Sequence, residues 1–124
     1  MCANGWSQIH QSCYQVIYNA VGRQGASDRC KSLGGYLAVV SEAQEMAAIQ
    51  GYLISIGDTS YMYIDGSDAA TEGVWVRESG DVMTYTGMNG VEPNGGSGEN
   101  CLVVSTNVIG DYPCSNTVPA ICEM

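Results

Sequence analysis

The sequence predicts one small domain that mixes strands with helices and is stapled by three disulfides. Three observations carry this expectation: a length of 124 residues, six cysteines, and two helix-like segments set among strand-like ones. A chain of this size fits a single domain, expected to span residues 1–124, and builds a real but modest core, so cross-links add useful stability. The cysteines are Cys2, Cys13, Cys30, Cys101, Cys114 and Cys122, and no pair has the Cys-x-x-Cys spacing of zinc or redox sites. An even set of that kind points to disulfides formed in an oxidising compartment, and so to a secreted protein.

The elements follow from local pattern. Ser12 to Tyr18 alternates or runs apolar, as a strand does. Ser27 is expected to cap a short helix over residues 28–33, stopped by Gly34-Gly35. Tyr36 to Val40 reads as a short buried strand. Ser41 is expected to cap a second helix, with Glu42, Gln44 and Glu45 in its first turn. Met46, Ile49, Leu53 and Ile56 recur at three- and four-residue steps, so this helix buries one face. Tyr61 to Ile64, Val74 to Val76 and Cys101 to Val104 read as strands. Between the last two, residues 87–100 are rich in Gly and Asn and show no periodicity. A stretch like that, tethered at its far end by a strand, reads as an ordered functional loop.

The charge balance narrows the partners. Thirteen acids face four bases, a net charge of −9, so phosphate backbones are repelled and nucleic acid is not expected as a ligand. Asp65, Asp68, Glu72, Glu78, Asp81, Glu92, Glu99 and Asp111 crowd into one segment. Carboxylates gathered in this way form either a solvated acidic face or a shared cation site. No apolar stretch approaches the roughly 18 residues that cross a bilayer, so membrane insertion is not expected. No basic start followed by an apolar run marks a targeting peptide, so an exported chain is expected to have lost its signal. His10 is the single histidine, which leaves no Ser-His-Asp or Cys-His set to assemble. Glu92, Glu99 and Asp111 could in principle supply the acid–base pair of a glycosidase. Three carboxylates beside an amide are better explained as cation ligands, and an enzyme is not expected.

Several local patterns occur together in the order of one known family. Cys2-x-x-Gly5-Trp6 followed by Cys13-Tyr14 looks like an opening hairpin, and Cys30-x-x-Leu33-Gly34-Gly35-x-Leu37-Ala38 like the end of a first helix with its strand. Tyr63-Ile64-Asp65-Gly66 stands where a Trp-Ile-Gly-Leu core motif is usual. Glu92-Pro93-Asn94, then Cys101, Asp111-x-x-Cys114 and Pro119-Ala120-Ile121-Cys122-Glu123 complete the series. Together these resemble the C-type lectin family, in its longer form, over essentially the whole chain. The resemblance implies an α+β C-type lectin-like fold: two helices, two small antiparallel sheets and a long non-regular loop for calcium and sugar. It also implies the pairing Cys2–Cys13, Cys30–Cys122 and Cys101–Cys114, one of the 15 connectivities that six cysteines allow.

The resemblance further implies a calcium-dependent carbohydrate-binding activity. Glu92, Asn94, Glu99 and Asp111 would supply three carboxylates and an amide oxygen, the hard donors calcium prefers. In the family the peptide bond before the Glu-Pro-Asn proline is cis when metal is bound, which aims both neighbours at one ion. The same four residues would hold two vicinal sugar hydroxyls, each shared with calcium and hydrogen-bonded to an acceptor and a donor. The chain departs from the family where a Trp-Asn-Asp motif reads Ile109-Gly110-Asp111, removing one calcium oxygen and one donor; Asn107 is a candidate substitute donor. Asp68, Glu72 and Asn100, with Glu99, resemble the residues of a second, auxiliary calcium site. Tyr112 and Tyr85 are candidate rings for stacking on a sugar. Glu-Pro-Asn usually accompanies mannose-type sugars, so mannose is expected first and galactose second. The partners implied are glycans on cell surfaces or glycoproteins, with a homodimer as the default assembly. The alternative is a domain of the same fold that binds protein, or ice, without sugar.

Overall fold

The computed structural model describes residues 2–69, 74–83 and 100–124. Within them lie seven strands and two helices, and the two expected antiparallel ladders are joined into one mixed sheet. The first ladder begins with β1 (Ser7–Ile9) and β2 (Ser12–Ile17), closed by a turn in which His10 takes left-handed backbone at φ 57°. β2 pairs in turn with the carboxy-terminal β7 (Ala120–Glu123), which also takes the two-residue β3 (Tyr36–Leu37). The second ladder is β4 (Met62–Ser67), β5 (Cys101–Val104) and β6 (Ile109–Tyr112), all antiparallel neighbours. One parallel pair, Tyr63 against Ala120, welds the two ladders.

Side chains alternate across this sheet, so each strand feeds two apolar layers. On one face Met46, Ile49 and Leu53 of α2 (Ala43–Ile56) pack with Met62, Ile64, Leu102, Val104 and Ile121. On the other, Ala26 and Cys30 of α1 (Gly22–Ser32) pack with Leu37, Tyr63, Val103 and Ala120. Trp75 and Met83 close the first layer from a short excursion that pairs through Val76 with Ser67 and Val82. The three disulfides have the expected partners: Cys2–Cys13, Cys30–Cys122 and Cys101–Cys114.

Three local expectations are corrected. The first helix begins at Gly22, five residues or so before the expected start, and Ser27 is buried within it instead of capping it. Its start is set by tertiary contact: Gly22 has φ +68°, and a Cβ there would lie 2.9 Å from the Cys114 carbonyl, which accepts a 2.8 Å bond from the Arg23 N–H. The second helix has Glu42, not Ser41, at its cap position, while the Glu45 carboxylate reaches back to accept the Ser41 N–H at 2.7 Å. Ile56, in its last turn, is exposed. Finally, Val74 to Val76 makes only isolated bridges, not a strand.

Candidate functional site

Three of the expected ligands, Asp68, Asn100 and Asp111, lie toward one end of the β4–β5–β6 ladder. Asp68 follows β4 directly, and its backbone N–H donates to the Asn100 carbonyl at 3.0 Å, just before β5 begins. Ser67 pairs with Cys101, and Leu102 with Asp111, so Asp68, Asn100 and Asp111 come from three adjacent strand ends. Strand alternation puts Asn100 and Leu102 on one face of β5, the face that Asp111 shares with Ile109 on β6. Asp68 and Asp111 are both buried. Gly66 is what lets β4 run this close: a Cβ there would sit 2.8 Å from a Leu102 methyl and 3.0 Å from the Met83 sulfur.

The remaining expected ligands, Glu72, Glu92, Asn94 and Glu99, fall outside the described residues, as does Tyr85. Among the described residues no three His, Cys, Asp or Glu side chains form a group that could hold a metal. The described donors, two carboxylates and an amide, are nevertheless of the hard oxygen type that suits calcium. They fit that ion as part of a set.

Two expectations are redirected. Asn107 lies exposed in the Ser105–Val108 turn, where the Ser105 N–H meets the Val108 carbonyl at 2.8 Å. That turn closes the β5–β6 hairpin at the end opposite Asp111. Three residues, Val108, Ile109 and Gly110, lie between the two, so Asn107 sits toward the far end of the hairpin from Asp111. Tyr112, on the other hand, points to the sheet face opposite Asp111. Its ring meets Tyr61 edge-on at 5.4 Å and packs over the Val103 layer. The neighbouring Tyr63 is fully buried, with its hydroxyl 2.7 Å from the carbonyls of both Pro113 and Asn116, and burial pushes its pKa up to about 12. This tyrosine cluster braces the chain beyond β6.

On the α1 side of β4 the acids have a different setting. Asp65 is buried, and its Oδ1 accepts from the Arg23 guanidinium at 3.0 Å and the Glu78 N–H at 2.9 Å. Burial still holds its pKa above the ordinary value, against the pull of those two donors. Glu78 accepts the Ser27 hydroxyl and lies 3.4 Å from Lys31. Burial alone would raise its pKa, but the Ser27 bond and the Arg23 and Lys31 charges outweigh it and lower the net value. The sequence carried no signal for this network, because its partners are 42 and 51 residues apart.

Comparison with known proteins bears on fold and family. The family profile described as "Lectin C-type domain" matches residues 19–124. Human tetranectin is 30% identical over 130 residues, which covers 99% of this chain and 64% of tetranectin, so the chain spans less than two thirds of that relative. Among solved structures, the mouse scavenger receptor C-type lectin carbohydrate-recognition domain superposes with a TM-score of 0.85 at 20% identity, covering 99% of this chain and 95% of that one. A calcium-independent type II antifreeze protein superposes with a TM-score of 0.83 at 23% identity, covering 100% of this chain and 94% of that one. The same fold thus serves a carbohydrate-recognition domain and an antifreeze protein. Identity at this level speaks for the fold alone.

Proposed function

The chain belongs to the C-type lectin family, and on that premise we propose that it is a secreted, calcium-dependent carbohydrate-binding domain that acts by binding, without catalysis. The observation that supports this reading most is the meeting of Asp68, Asn100 and Asp111 at one end of the β4–β5–β6 ladder. Bound calcium supplies a Lewis-acidic centre that accepts lone pairs from two vicinal sugar hydroxyls. Asp111 would hold it together with Glu92, Asn94 and Glu99, and those side chains would also accept and donate the flanking hydrogen bonds. Asp68, Glu72 and Asn100 would serve the auxiliary ion. Mannose-type sugars come first and galactose second, following Glu92-Pro93-Asn94. A single such site binds monosaccharides weakly, so a homodimer would supply avidity.

A second reading, binding of protein or ice without sugar, is favoured by one feature. Gly110 stands beside Asp111 where the family motif supplies an amide donor, and the antifreeze superposition shows that the fold accommodates such a role elsewhere. A glycan array run in calcium and again in chelator separates the two. The lectin reading expects mannose-type ligands that vanish with chelator. No glycan bound in either condition favours the second reading.

A further inference from the structure

On the other side of the strand end that carries Asp68, a cavity of about 420 Å³ opens between α1 and the residues beyond β4, with Arg23, Gln24, Lys31, Ser67, Arg77 and Glu78 in its wall. We propose that this cavity is an oxyanion site, one that takes the sulfate ester or carboxylate of an acidic saccharide and needs no calcium. The cavity itself stands on the geometry below. That its ligand is carried on a sugar rests on the lectin reading.

The first argument is charge. This chain has only four basic side chains, and three of them line this one cavity. Packing like charges together is unfavourable unless anions answer them. Glu78 answers part: it faces Lys31 at 3.4 Å, and Asp65 takes Arg23 from behind at 3.0 Å. Arg77 donates to the Ser41 Oγ at 3.0 Å, and its charge also acts on the buried Glu123 carboxylate.

The second argument is donor capacity. A guanidinium carries five N–H donors in a planar fork that matches a carboxylate or sulfate edge. The Nε groups of both Arg23 and Arg77 are shielded from water, and no described residue accepts from them. Those two atoms are closed to solvent, so donation to a bound anion falls to the terminal N–H groups of each fork. Arg23 and Gln24 also lie in the first turn of α1, an 11-residue helix whose positive end adds to the local potential. The Gln24 amide, whose nitrogen donates to Asp28 at 3.1 Å, and the Ser67 hydroxyl, which accepts the Ala69 N–H at 3.1 Å, each keep capacity for a hydrogen bond to sugar hydroxyls next to the anionic group. Ser67 and Ala69 line the cavity and Asp68 between them does not, so the two ligand sites use different sides of one strand end.

An NMR titration in chelator tests this, with sodium sulfate, glucuronate and glucose added in turn at constant ionic strength. Chelator silences the calcium site, so failure here and failure of the lectin reading are told apart. Sulfate and glucuronate are expected to give saturable, mutually competitive shifts confined to residues 23–31, 67–69 and 76–78, while glucose gives none. The stronger of the two identifies the ester or the carboxylate as the favoured group. Lys31→Gln combined with Arg77→Gln should weaken binding about tenfold, as expected for lost charge-assisted bonds. Arg29→Gln, on α1 but outside the cavity wall, should leave it unchanged. If the double variant does not fold, Arg77→Lys is used, which keeps the charge, loses the fork and should weaken binding several-fold. A non-saturating response, unchanged affinity in the cavity variants, or an equal loss in Arg29→Gln overturns the proposal.

Discussion

Asp65 on β4 and Asp68 just past its end stand three residues apart, are both buried, and belong to different kinds of region. Asp65 faces α1 and is answered by protein: Arg23 and the Glu78 N–H bond its carboxylate, and Lys31 and Ser27 bond Glu78 in turn. Asp68 lies at the strand end beside Asn100, near Asp111, in a set made of acids and an amide. The first region spends its charge on holding the Trp75–Met83 excursion against the helix. The second sets Asp68 and Asn100 at a strand end, among the residues proposed as calcium ligands. A buried acid is therefore no sign of function by itself; its neighbours decide.

The largest effects should come from the cross-links that frame the two regions. Cys30–Cys122 ties α1 to β7 across a separation of 92 residues, and Cys30→Ala with Cys122→Ala should cost about 4–5 kcal/mol in urea unfolding. Cys101–Cys114 spans only 13 residues beside the candidate calcium end. Its removal should cost less, about 3 kcal/mol, yet abolish calcium binding. Equal loss of calcium binding in both variants would blur the distinction between the regions.

Next in size is Arg23→Gln. It leaves the Asp65 carboxylate, whose side chain is 9% exposed, without its ion pair. Breaking a buried pair from one side costs about 3 kcal/mol, and a denaturation midpoint unchanged from wild type would show that the pair contributes nothing. Asp111→Asn should behave in the reverse way. Stability changes little or rises, while calcium affinity measured by calorimetry falls about tenfold or more, the loss of one charged ligand.

The smallest effect is a pH dependence. The folded state lowers the Glu78 pKa below its ordinary 4.5, so its stabilisation is present above that value and is lost as pH falls through the folded pKa. Its carboxylate is partly exposed, so the contribution is discounted to under about 1 kcal/mol. The gap in melting temperature between wild type and Glu78→Gln should shrink on acidification from pH 7. A gap that widens instead contradicts the assigned network.

The two regions were also unequally legible in sequence. The residues at the candidate calcium end carry local motifs, and Asp68, Asn100 and Asp111 were singled out by the family resemblance of those motifs. The disulfide pairing followed from the same resemblance. The α1 region was opaque. The local capping pattern points to a start at Ser27, whereas the bond from the Arg23 N–H to the Cys114 carbonyl sets it earlier. Asp65 was one more acid in an acidic segment until the fold brought Arg23 to it. Asn107 is near Asp111 in sequence, but the hairpin sets it in the turn at the other end of β6. Period-two alternation turns Tyr112 toward Tyr61, a contact that no local pattern announced.

The most direct test passes the protein over immobilised mannose, with galactose in parallel, in calcium buffer and then in chelator. We expect retention on mannose, weaker retention on galactose, and release of both by the chelator. Retention that survives the chelator, or passage through both columns with calcium present, would contradict a metal-centred sugar site.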